Sequence, residues 1–315
     1  MLNGLNVTDI KVAVLLLNWN GVELTLPCID SLINGTVRPT KIFVVDNASI
    51  DCSVQKLGNT FSDIEVIENK ENLGFTGGNN VGLERILSGN YDYVWILNND
   101  TVVAENSLKY LLDAMEADLG IAAASGKILY DDPQNLIWYA GSRFNFWTLQ
   151  AAHKGERHKD LMQYDLPEDV PFISGCCMFV RKSALEHVGL FDNNFFAYYE
   201  DYDWCLRAKS LGLRLRYVPD SVIYHKVSAS FKKTSIQSCG GTSSPFVIYL
   251  ITRNRMFIIR KHANNIFQFI VSATFYFTRN CFYAAALIFL FRIRKMNSIW
   301  KGTVDGCFSA LTKTL

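Results

Sequence analysis

The sequence predicts an α/β protein with a mostly parallel sheet flanked by helices. Short apolar runs recur along the chain and alternate with stretches of helical periodicity, a pattern typical of right-handed βαβ units. The runs end abruptly in polar residues, as expected of strands buried on both faces. The 315 residues are 49% hydrophobic, which is enough for a sizeable core.

The apolar runs give the order of the first elements. Strands are predicted at 11–17, 41–45, Ile64–Glu68 and 93–97. Apolar residues at helical spacing connect the first two strands over Val22–Ile33, and Asn34 with Gly35 ends that helix. A glycine-rich stretch, 74–82, separates the third strand from the fourth and leads into a further helix.

The second half of the chain is less regular. We predict strands there at Ile121–Tyr130 and 171–180, and strand-like segments at 213–218 and 221–224. Between the two strands we predict a hairpin or irregular flap at 135–149 and a mobile polar loop at 151–169. Ser183 is expected to cap a helix that ends at Gly189. His153 and His158 of the polar loop share no clear face, so a metal role for them is not favoured.

Polar residues stand where successive strands end, at Asn18, Asp46, Asn72 and Asp100. Because the carboxyl ends of parallel strands share one edge of a sheet, these groups should converge on one crevice. Asp100 follows two amides and offers hard oxygen ligands to Mg²⁺ or Mn²⁺, although Asn and Asp also favour ordinary turns. Asp46 suits hydrogen bonds to a ribose or base, or a turn with Ser49.

The glycine-rich stretch excludes two classes of nucleotide-binding protein. It matches neither Gly-x-Gly-x-x-Gly nor Gly-x-x-x-x-Gly-Lys-Ser/Thr, so a dinucleotide enzyme or a P-loop NTPase is not indicated. Its glycines allow the backbone to approach a ligand closely, and the helix that follows can direct its N-terminus to a phosphate.

An acidic cluster follows the aromatic segment 191–199 and comprises Glu200, Asp201 and Asp203. Acids in a first helical turn suit the helix dipole. Alternatively, aromatic walls desolvate Glu200 or Asp201 and raise its proton affinity, which suits a general base. His225 follows the last strand-like segment, where it is either structural or a neutral ligand to a metal held by Asp100.

These motifs together resemble glycosyltransferase family 2, and within it the bacterial rhamnosyltransferase-like enzymes of cell-surface polysaccharide synthesis. The resemblance covers residues 10–262, and its motifs arrive in the family's order at 17–21, 44–49, 72–80, 97–100, 175–181 and 195–203. It implies the GT-A fold, with a Rossmann-like sheet. The implied catalytic domain is 1–245, with a nucleotide-sugar half over 1–130 and an acceptor half over 131–245, followed by a helical region at 246–315.

The resemblance also implies roles for individual residues. Asp46 would contact the nucleoside, and Asp100, the last position of the family's Asp-x-Asp motif, would hold Mn²⁺ or Mg²⁺ with His225. Asn98 stands where many members have aspartate, a departure that bears on the affinity for the metal and on which metal is bound. Asp201 matches the catalytic base, with Glu200 as the second candidate. The implied nucleotide-binding residues are Asn18, Asn20, Asp46, Asn72, Gly74, Phe75, Gly77, Asn79 and Asn99.

The implied reaction is transfer of a sugar with inversion. Asp201 would take the proton of an acceptor hydroxyl while that oxygen attacks the anomeric carbon from the face opposite the nucleoside diphosphate. The resemblance favours dTDP-rhamnose as donor, with a UDP-hexose as the alternative, and a glycan or lipid-linked oligosaccharide as acceptor. Two other classes stay open: an inactive nucleotide-sugar-binding scaffold, motivated by Asn98, and a glycoside hydrolase with two carboxylates.

The C-terminal region differs from the rest in composition. From Lys226 onward there are thirteen basic residues and one acid, against 18 and 29 before it. An amphipathic basic helix at 246–261 precedes two apolar blocks, 266–277 and 281–291, each too short to span a bilayer. We predict helices lying in the membrane plane, with a core or dimer helix as the alternative. The residues expected to contact lipid headgroups are Arg292, Arg294 and Lys295.

Composition also bears on location and partners. Eight Cys without a Cys-x-x-Cys pair, mostly among apolar neighbours, predict reduced core thiols of a cytosolic protein. We therefore expect a cytoplasmic protein, peripheral on the inner face of the cell membrane. The net charge of +1 indicates no polyanionic partner, so nucleic acid is not expected.

Overall fold

The first half of the chain forms the parallel side of a sheet in the computed structural model, which describes residues 10–226 and 244–311. Its strands lie in the spatial order β3-β2-β1-β4, and every neighbouring pair is parallel. The elements are β1 (Val12–Asn18), α1 (Val22–Ile33), β2 (Lys41–Asp46), α2 (Ser53–Thr60), β3 (Ile64–Glu68), α3 (Gly74–Leu87) and β4 (Tyr93–Asn98). The predicted α/β fold and its parallel strands are confirmed, and β1, β2 and β4 each end one residue later than predicted.

The second half extends the sheet with strands of both directions. Its elements are β5 (Thr101–Val103), α4 (Ser107–Ala117), β6 (Ile121–Tyr130), β7 (Ile137–Tyr139), β8 (Ser142–Asn145), β9 (Gln150–His153), β10 (Glu168–Asp169), β11 (Cys177–Arg181), α5 (Lys182–Val188), α6 (Glu200–Ser210) and β12 (Arg214–His225). β11 lies antiparallel between β4 and β6, and β12 lies parallel beside β6. β10 pairs with β12, and β5 pairs antiparallel with the end of β12.

Helix α3 lies close against β1 because two of its glycines face that strand. A Cβ on Gly82 would lie 2.3 Å from Leu15 Cδ1, and one on Gly78 would lie 2.5 Å from Leu17 Cδ1. Real Cβ atoms essentially never come so close to other heavy atoms, so a larger residue at either position would displace the leucine side chain or the helix. Part of the glycine-rich stretch therefore serves the packing that holds the strand ends in place.

Two predictions between 171 and 189 are wrong in detail. Strand β11 begins at Cys177, since the backbone before it bonds elsewhere: the Gly175 amide donates to Asp201 Oδ2 at 2.8 Å. Helix α5 begins at Lys182, so Ser183 lies inside the helix and does not cap it. Gly189 ends α5 as predicted, in a positive-φ conformation that favours glycine.

The segment 151–169, predicted as a mobile loop, is anchored to the body at several points. It begins within the β8–β9 hairpin, which confirms the predicted flap, and it ends in β10. The buried Lys127 ammonium contacts Asp160 at 3.0 Å and also Asp165. The last two strand-like segments form one strand, β12, with a register shift between Val218 and Val222.

Three helices follow β12 in the described part of the chain: α7 (Pro245–His262), α8 (Ile266–Phe289) and α9 (Ile293–Phe308). The two predicted apolar blocks are one continuous helix, α8, in which Asn280 donates to Thr303 of α9 at 3.2 Å. Helix α7 is confirmed, and it adds Phe257 and Ile258 to the main core. Across 10–226 and 244–311, no helix combines the length and apolar character needed to cross a membrane. The domain boundary at 245–246 stays a prediction.

The cysteine prediction is confirmed in part. Buried free thiols are found at Cys28, Cys176, Cys177 and Cys205. The thiols of Cys52 and Cys281 are free but exposed, so they are not core residues. Cys239 lies outside the described residues.

Candidate active site

A buried hydrogen-bond network joins the ends of β1 and β2. Asn18 Nδ2 donates to Asp46 Oδ1 at 2.8 Å and to Ser49 Oγ at 3.2 Å. Asp46 Oδ2 accepts from the Ser49 amide at 2.9 Å, which is the turn considered from the sequence. A carboxylate offers about four lone-pair sites, so Asp46 orders this edge and keeps capacity to accept from a ligand.

Asn47 is a residue of this edge that the sequence reasoning did not single out. Its Nδ2 donates to Asn72 Oδ1 and to the Gly74 carbonyl, both at 3.0 Å. Its Oδ1 accepts from Asn69 Nδ2 at 3.0 Å and from the Leu73 amide at 3.1 Å. Asn47 thereby ties the end of β2 to the loop before α3. Its position directly after Asp46 was the one available signal.

The predicted glycines and amides around α3 contact protein atoms. Gly74 has φ +74°, and a Cβ there would lie 2.3 Å from the Phe196 carbonyl oxygen, so only glycine fits. A Cβ on Gly77 would lie 2.9 Å from Leu73 Cβ. Asn79 Nδ2 donates to the Phe75 carbonyl at 2.8 Å within the helix. These residues fix the start of α3 beside the aromatic segment that precedes α6.

Asn20 and Asn99 lie at the outer part of the same edge. Asn20 Oδ1 accepts from the Ile50 amide at 2.8 Å, which ties the two loops after β1 and β2 together. Asn99 Nδ2 donates to Thr25 Oγ1 at 2.8 Å, so it fastens the loop after β4 to α1.

Asp100 and His225 meet, as the sequence reasoning suggested. The antiparallel pairing of β12 with β5 sets His225 opposite Thr101, directly beside Asp100. His225 Nε2 lies 3.1 Å from Asp100 Oδ1, and Trp138 packs edge-on against the imidazole with ring centroids 4.9 Å apart. The contact between Nε2 and Oδ1 does not have the geometry of a hydrogen bond, so Asp100 Oδ1 is buried with no hydrogen-bond partner in the described part of the chain, and so is His225 Nδ1.

His153 is brought close to this pair although its sequence context gave no such indication. Its Nδ1 lies 3.1 Å from the Trp138 carbonyl oxygen, and its ring packs against Trp138 with centroids 4.6 Å apart. Burial lowers the pKa of His153, so the imidazole is neutral at neutral pH. His158 does not line the cavities described below.

Glu200 and Asp201 open helix α6 directly after two positive-φ residues, Tyr198 and Tyr199. Asp201 accepts from the Gly175 amide at 2.8 Å and from the Tyr202 amide at 2.7 Å. Burial raises the pKa of Asp201, and these two hydrogen bonds oppose that rise. Burial and the charge of Asp201 raise the pKa of Glu200 well above its usual range. Of the two acids, Asp201 is therefore the one that ionises first.

Asp203, the third acid of the cluster, is structural. Burial acts to raise its pKa, but the hydrogen bond with His262 and the charges of Arg207 and Lys261 hold that pKa well below its usual range. Asp203 Oδ1 lies 2.8 Å from His262 Nε2 and 2.7 Å from Lys261 Nζ. This cluster fastens α7 to α6, the helix that carries Asp201.

Asp100 and His225 face the same cavity of 540 Å³ as Glu200 and Asp201. The predicted residues that line it are Phe75, Asp100, Glu200, Asp201 and His225. The other predicted site residues lie outside its wall: Asn18, Asn20, Asp46, Asn72 and Asn99 at or after the ends of strands, and Gly74, Gly77 and Asn79 in helix α3. A second cavity of 290 Å³ shares Asp201 and His153 with the first and continues toward α7 and α8.

Buried polar atoms without partners concentrate at these two cavities. Eight such side-chain atoms occur in 10–226 and 244–311, and six belong to residues that line the cavities. They come from Asp100, Gln150, Glu200, Tyr202, His225 and Arg255. An unsatisfied buried polar atom costs about 1–3 kcal/mol, so the concentration indicates a site built for a polar ligand.

The fold is similar to that of solved glycosyltransferases. Mannosyltransferase PcManGT from Pyrobaculum calidifontis, solved in complex with GDP-Man and Mn²⁺, is similar with a TM-score of 0.56, 14% identity and coverage of 95% of this chain and 87% of that chain. GalNAc-T7, solved with UDP, GalNAc and Mn²⁺, also has a TM-score of 0.56, at 16% identity over 69% of this chain and 44% of that chain. The predicted GT-A fold is confirmed.

The chain belongs to glycosyltransferase family 2, as its resemblance implied. The family model described as "Glycosyltransferase like family 2" matches residues 10–239. The N-acetylglucosaminyl-diphospho-decaprenol L-rhamnosyltransferase of Mycobacterium tuberculosis is 27% identical over 222 residues, which are 64% of this chain and 71% of the relative. The class is therefore a rhamnosyltransferase-like glycosyltransferase, and the family argues against the glycoside hydrolase considered from the sequence.

Proposed function

We propose that this protein transfers a sugar from a nucleoside diphosphate to an acceptor hydroxyl, with inversion and with a divalent metal. The observation that carries the proposal is the 540 Å³ cavity, whose wall contains both Asp100 with His225 and Asp201. A site for the leaving diphosphate and a proton acceptor therefore face the same space. A single displacement needs both groups on opposite sides of one sugar.

Asp100 and His225 fit a divalent cation. A carboxylate oxygen and an imidazole nitrogen lie 3.1 Å apart, each from a residue with a buried unpartnered atom. This pair suits Mn²⁺, whereas Mg²⁺ would rely on the carboxylate oxygens. Groups of three or more His, Cys, Asp or Glu suited to a metal are absent from the described ranges. The remaining ligands would come from the donor's diphosphate and water. When bound, the metal supplies positive charge that neutralises the departing diphosphate.

Asp201 is the proposed general base. The Gly175 and Tyr202 amides fix both of its carboxylate oxygens, so the group is oriented before the substrates arrive. Its raised pKa increases its affinity for the acceptor's proton while the two hydrogen bonds keep the ionised form accessible. Glu200 is the protonated neighbour in this proposal, and its burial keeps a second negative charge away from the donor.

The nucleotide is proposed to lie along the edge formed by β1, β2 and β3. Asp46 would accept from the nucleoside through the lone pairs that Asn18 and Ser49 leave free. The other proposed contacts are Asn18, Asn20, Asn72, Gly74, Phe75, Gly77, Asn79 and Asn99. Phe75 links this edge to the metal pair, because its side chain lines the same cavity as Asp100.

We infer dTDP-rhamnose as the first donor to test, because a named relative is an L-rhamnosyltransferase. That relative's name also specifies a diphospho-decaprenol acceptor. The proposed acceptor here is accordingly a hydroxyl of a glycan or lipid-linked oligosaccharide in O-antigen or capsule synthesis. A UDP-hexose stays the alternative donor.

A second candidate function is an inactive nucleotide-sugar-binding scaffold. Asn98 lines the cavity at a position where a carboxylate would add a further metal ligand. If an amide there abolishes metal binding, the protein would bind a donor without turning it over.

We also propose peripheral contact with the inner face of the cell membrane. Helices α8 and α9 and the turn between them expose a series of large apolar side chains that includes Ile266, Phe267, Phe282, Phe289, Phe291 and Trp300. The basic residues Arg292, Arg294 and Lys295 lie in the same region and suit anionic headgroups. Such a surface would bring the catalytic cavity near a lipid-linked acceptor.

The proposed function is tested by thermal-shift binding of dTDP, UDP, GDP and CMP, each with and without Mn²⁺ or Mg²⁺. We expect one nucleoside diphosphate to stabilise the protein in a metal-dependent manner, and Asp100→Asn to abolish that dependence. Asp113→Asn is the matched control, because Asp113 is an exposed acid paired with Lys109. If folded wild-type protein responds to no nucleotide, the donor site is refuted. Nucleotide binding that does not depend on metal, without turnover, would favour the scaffold.

A further inference from the structure

Apart from Asp201, the residues that line the 290 Å³ cavity are ones that the donor proposal leaves unused. Its wall comes from 149–153, Phe172, the turn into α6, and helices α7 and α8. No described residue of the nucleotide half, 10–130, lines it. The metal pair lines the other cavity, so a diphosphate donor held there would leave this space open to a second ligand.

Three buried donors face this space without partners. Arg255 Nη2, Gln150 Nε2 and the Tyr202 hydroxyl have no hydrogen-bond partner within 10–226 and 244–311, and all three residues line the cavity. Burial raises the pKa of Tyr202, so its hydroxyl keeps its proton and remains a donor. A group of donors requires an acceptor-rich ligand to compensate their burial.

The charges in the cavity favour an anion. Arg255 is 3% exposed, and Arg279 of α8 lines the same wall. Within 10–226 and 244–311, Arg255 Nη2 has no hydrogen-bond partner, and Asp201 is the one acid on the wall. Two guanidinium groups beside one carboxylate leave net positive charge, and planar guanidinium donors match phosphate oxygens.

The other basic side chains of α7 contact protein acceptors, whereas Arg255 Nη2 has no such partner among the described residues. Arg260 donates to the carbonyls of Gly306 and Ser309, both at 2.9 Å. Arg253 donates to the Asn194 carbonyl at 3.2 Å, and Lys261 contacts Asp203 at 2.7 Å. Arg255 instead packs over the Phe275 ring, which is 43% exposed on α8. An apolar surface therefore begins directly beside the unpartnered guanidinium.

We propose that Arg255 and Arg279, with Tyr202 and Gln150, bind the phosphate or diphosphate ester of the acceptor. The acceptor sugar then lies at Asp201, between the two cavities, and its lipid chain leaves along the exposed face of α8. This assignment rests on the proposed function, because it requires the donor to occupy the other cavity. It makes the substrate class an anionic, diphosphate-linked acceptor.

The test is direct binding of farnesyl diphosphate, measured by titration calorimetry on the full chain. Inorganic pyrophosphate, farnesol and phosphatidylglycerol vesicles separate the diphosphate, the chain and a bilayer as sources of affinity. We expect farnesyl diphosphate to bind more tightly than pyrophosphate, and farnesol not to bind. Arg255→Gln and Arg279→Gln should each weaken binding about tenfold or more, since charge-assisted hydrogen bonds are lost. Arg38→Gln, which removes an exposed arginine outside both cavities, should change nothing.

Two further variants protect the test against misfolding. Tyr202→Phe removes one hydroxyl and preserves the ring, and Arg255→Lys keeps the charge; both should weaken binding less than Arg255→Gln. Equal farnesyl diphosphate affinity in wild type, Arg255→Gln and Arg279→Gln would overturn the assignment, as would affinity for vesicles alone.

Donor binding is measured in the same samples. Wild-type protein saturated with dTDP and Mn²⁺ should still bind farnesyl diphosphate, and the arginine variants should keep metal-dependent nucleotide binding. Mutual displacement of the two ligands would assign the arginines to the donor and overturn the inference with the proposed function intact. If the wild-type protein binds no nucleotide, the donor site is refuted instead.

Discussion

Replacing Asp201 with asparagine removes the proposed base with little change in shape. The amide oxygen of the new side chain can still accept from the Gly175 or Tyr202 amide, which bond the carboxylate at 2.8 and 2.7 Å. The side-chain amide cannot take a proton from an acceptor hydroxyl at neutral pH. We therefore expect kcat to fall while donor binding and folding persist.

The expected loss of catalytic rate is larger than the expected loss of folding stability, so the two can be told apart. Loss of a positioned general base lowers the rate about 10²–10⁴-fold, or about 3–5 kcal/mol of transition-state stabilisation. Loss of one of the two backbone hydrogen bonds costs about 1–3 kcal/mol of folding stability. The variant should also lower the folded-state pKa of Glu200, because the charge of Asp201 adds to burial in raising it. Keeping Glu200 protonated at neutral pH then costs less, which offsets part of the loss.

The assay is transfer from radiolabelled dTDP-rhamnose to a prenyl-diphosphate-linked N-acetylglucosamine, with stability followed by urea unfolding. Asp113→Asn is the matched control and should keep wild-type kcat. Glu200→Gln should lose less activity than Asp201→Asn, because Glu200 is already protonated in the proposal. An Asp201→Asn variant that keeps more than about a tenth of wild-type kcat would refute the assignment of the base.

Two further predictions concern stability. Burial and the charge of Asp201 raise the folded-state pKa of Glu200, so its contribution is complete below the unfolded pKa and is lost as pH rises through the folded pKa. Glu200→Gln should therefore lose less stability than wild type when pH rises from acidic to neutral in thermal melts; an identical pH profile would contradict this. In urea unfolding, Gly74→Ala should lower the free energy of unfolding by about 1–3 kcal/mol, because Gly74 has a positive φ and lies against Phe196. Gly58→Ala should raise it by about 0.5–1 kcal/mol, because a Cβ at Gly58 of α2 meets open space. Equal effects of the two substitutions would contradict the packing argument.

Local patterns predicted the first half of the chain closely. Helix α1 has the predicted bounds, Val22–Ile33, because apolar spacing and the Asn34-Gly35 end are both local signals. Strand β3 likewise matches Ile64–Glu68. The polar residues at the strand ends converge because parallel strands share one edge, which is a property of the fold class.

Contacts distant in sequence decided what the sequence did not predict. Helix α8 is continuous because Asn280 bonds Thr303 of α9 and Arg279 lines a cavity, whereas the sequence alone indicated an interruption there. His153 reaches the site because the hairpin β8–β9 packs beside Trp138. The unpartnered donors of the second cavity come from separate elements, α6, α7 and β9, so no single motif contains them.

The most direct test of the central claim is the anomeric configuration of the first-formed product. Wild-type protein with Mn²⁺, dTDP-L-rhamnose and a prenyl-diphosphate-linked N-acetylglucosamine would be followed by NMR before any secondary reaction accumulates. The single displacement across the Asp201 cavity predicts a glycosidic bond with the configuration opposite to that of the donor. A product that retains the donor's configuration would contradict it, because retention requires a second displacement for which Asp201 as base has no role.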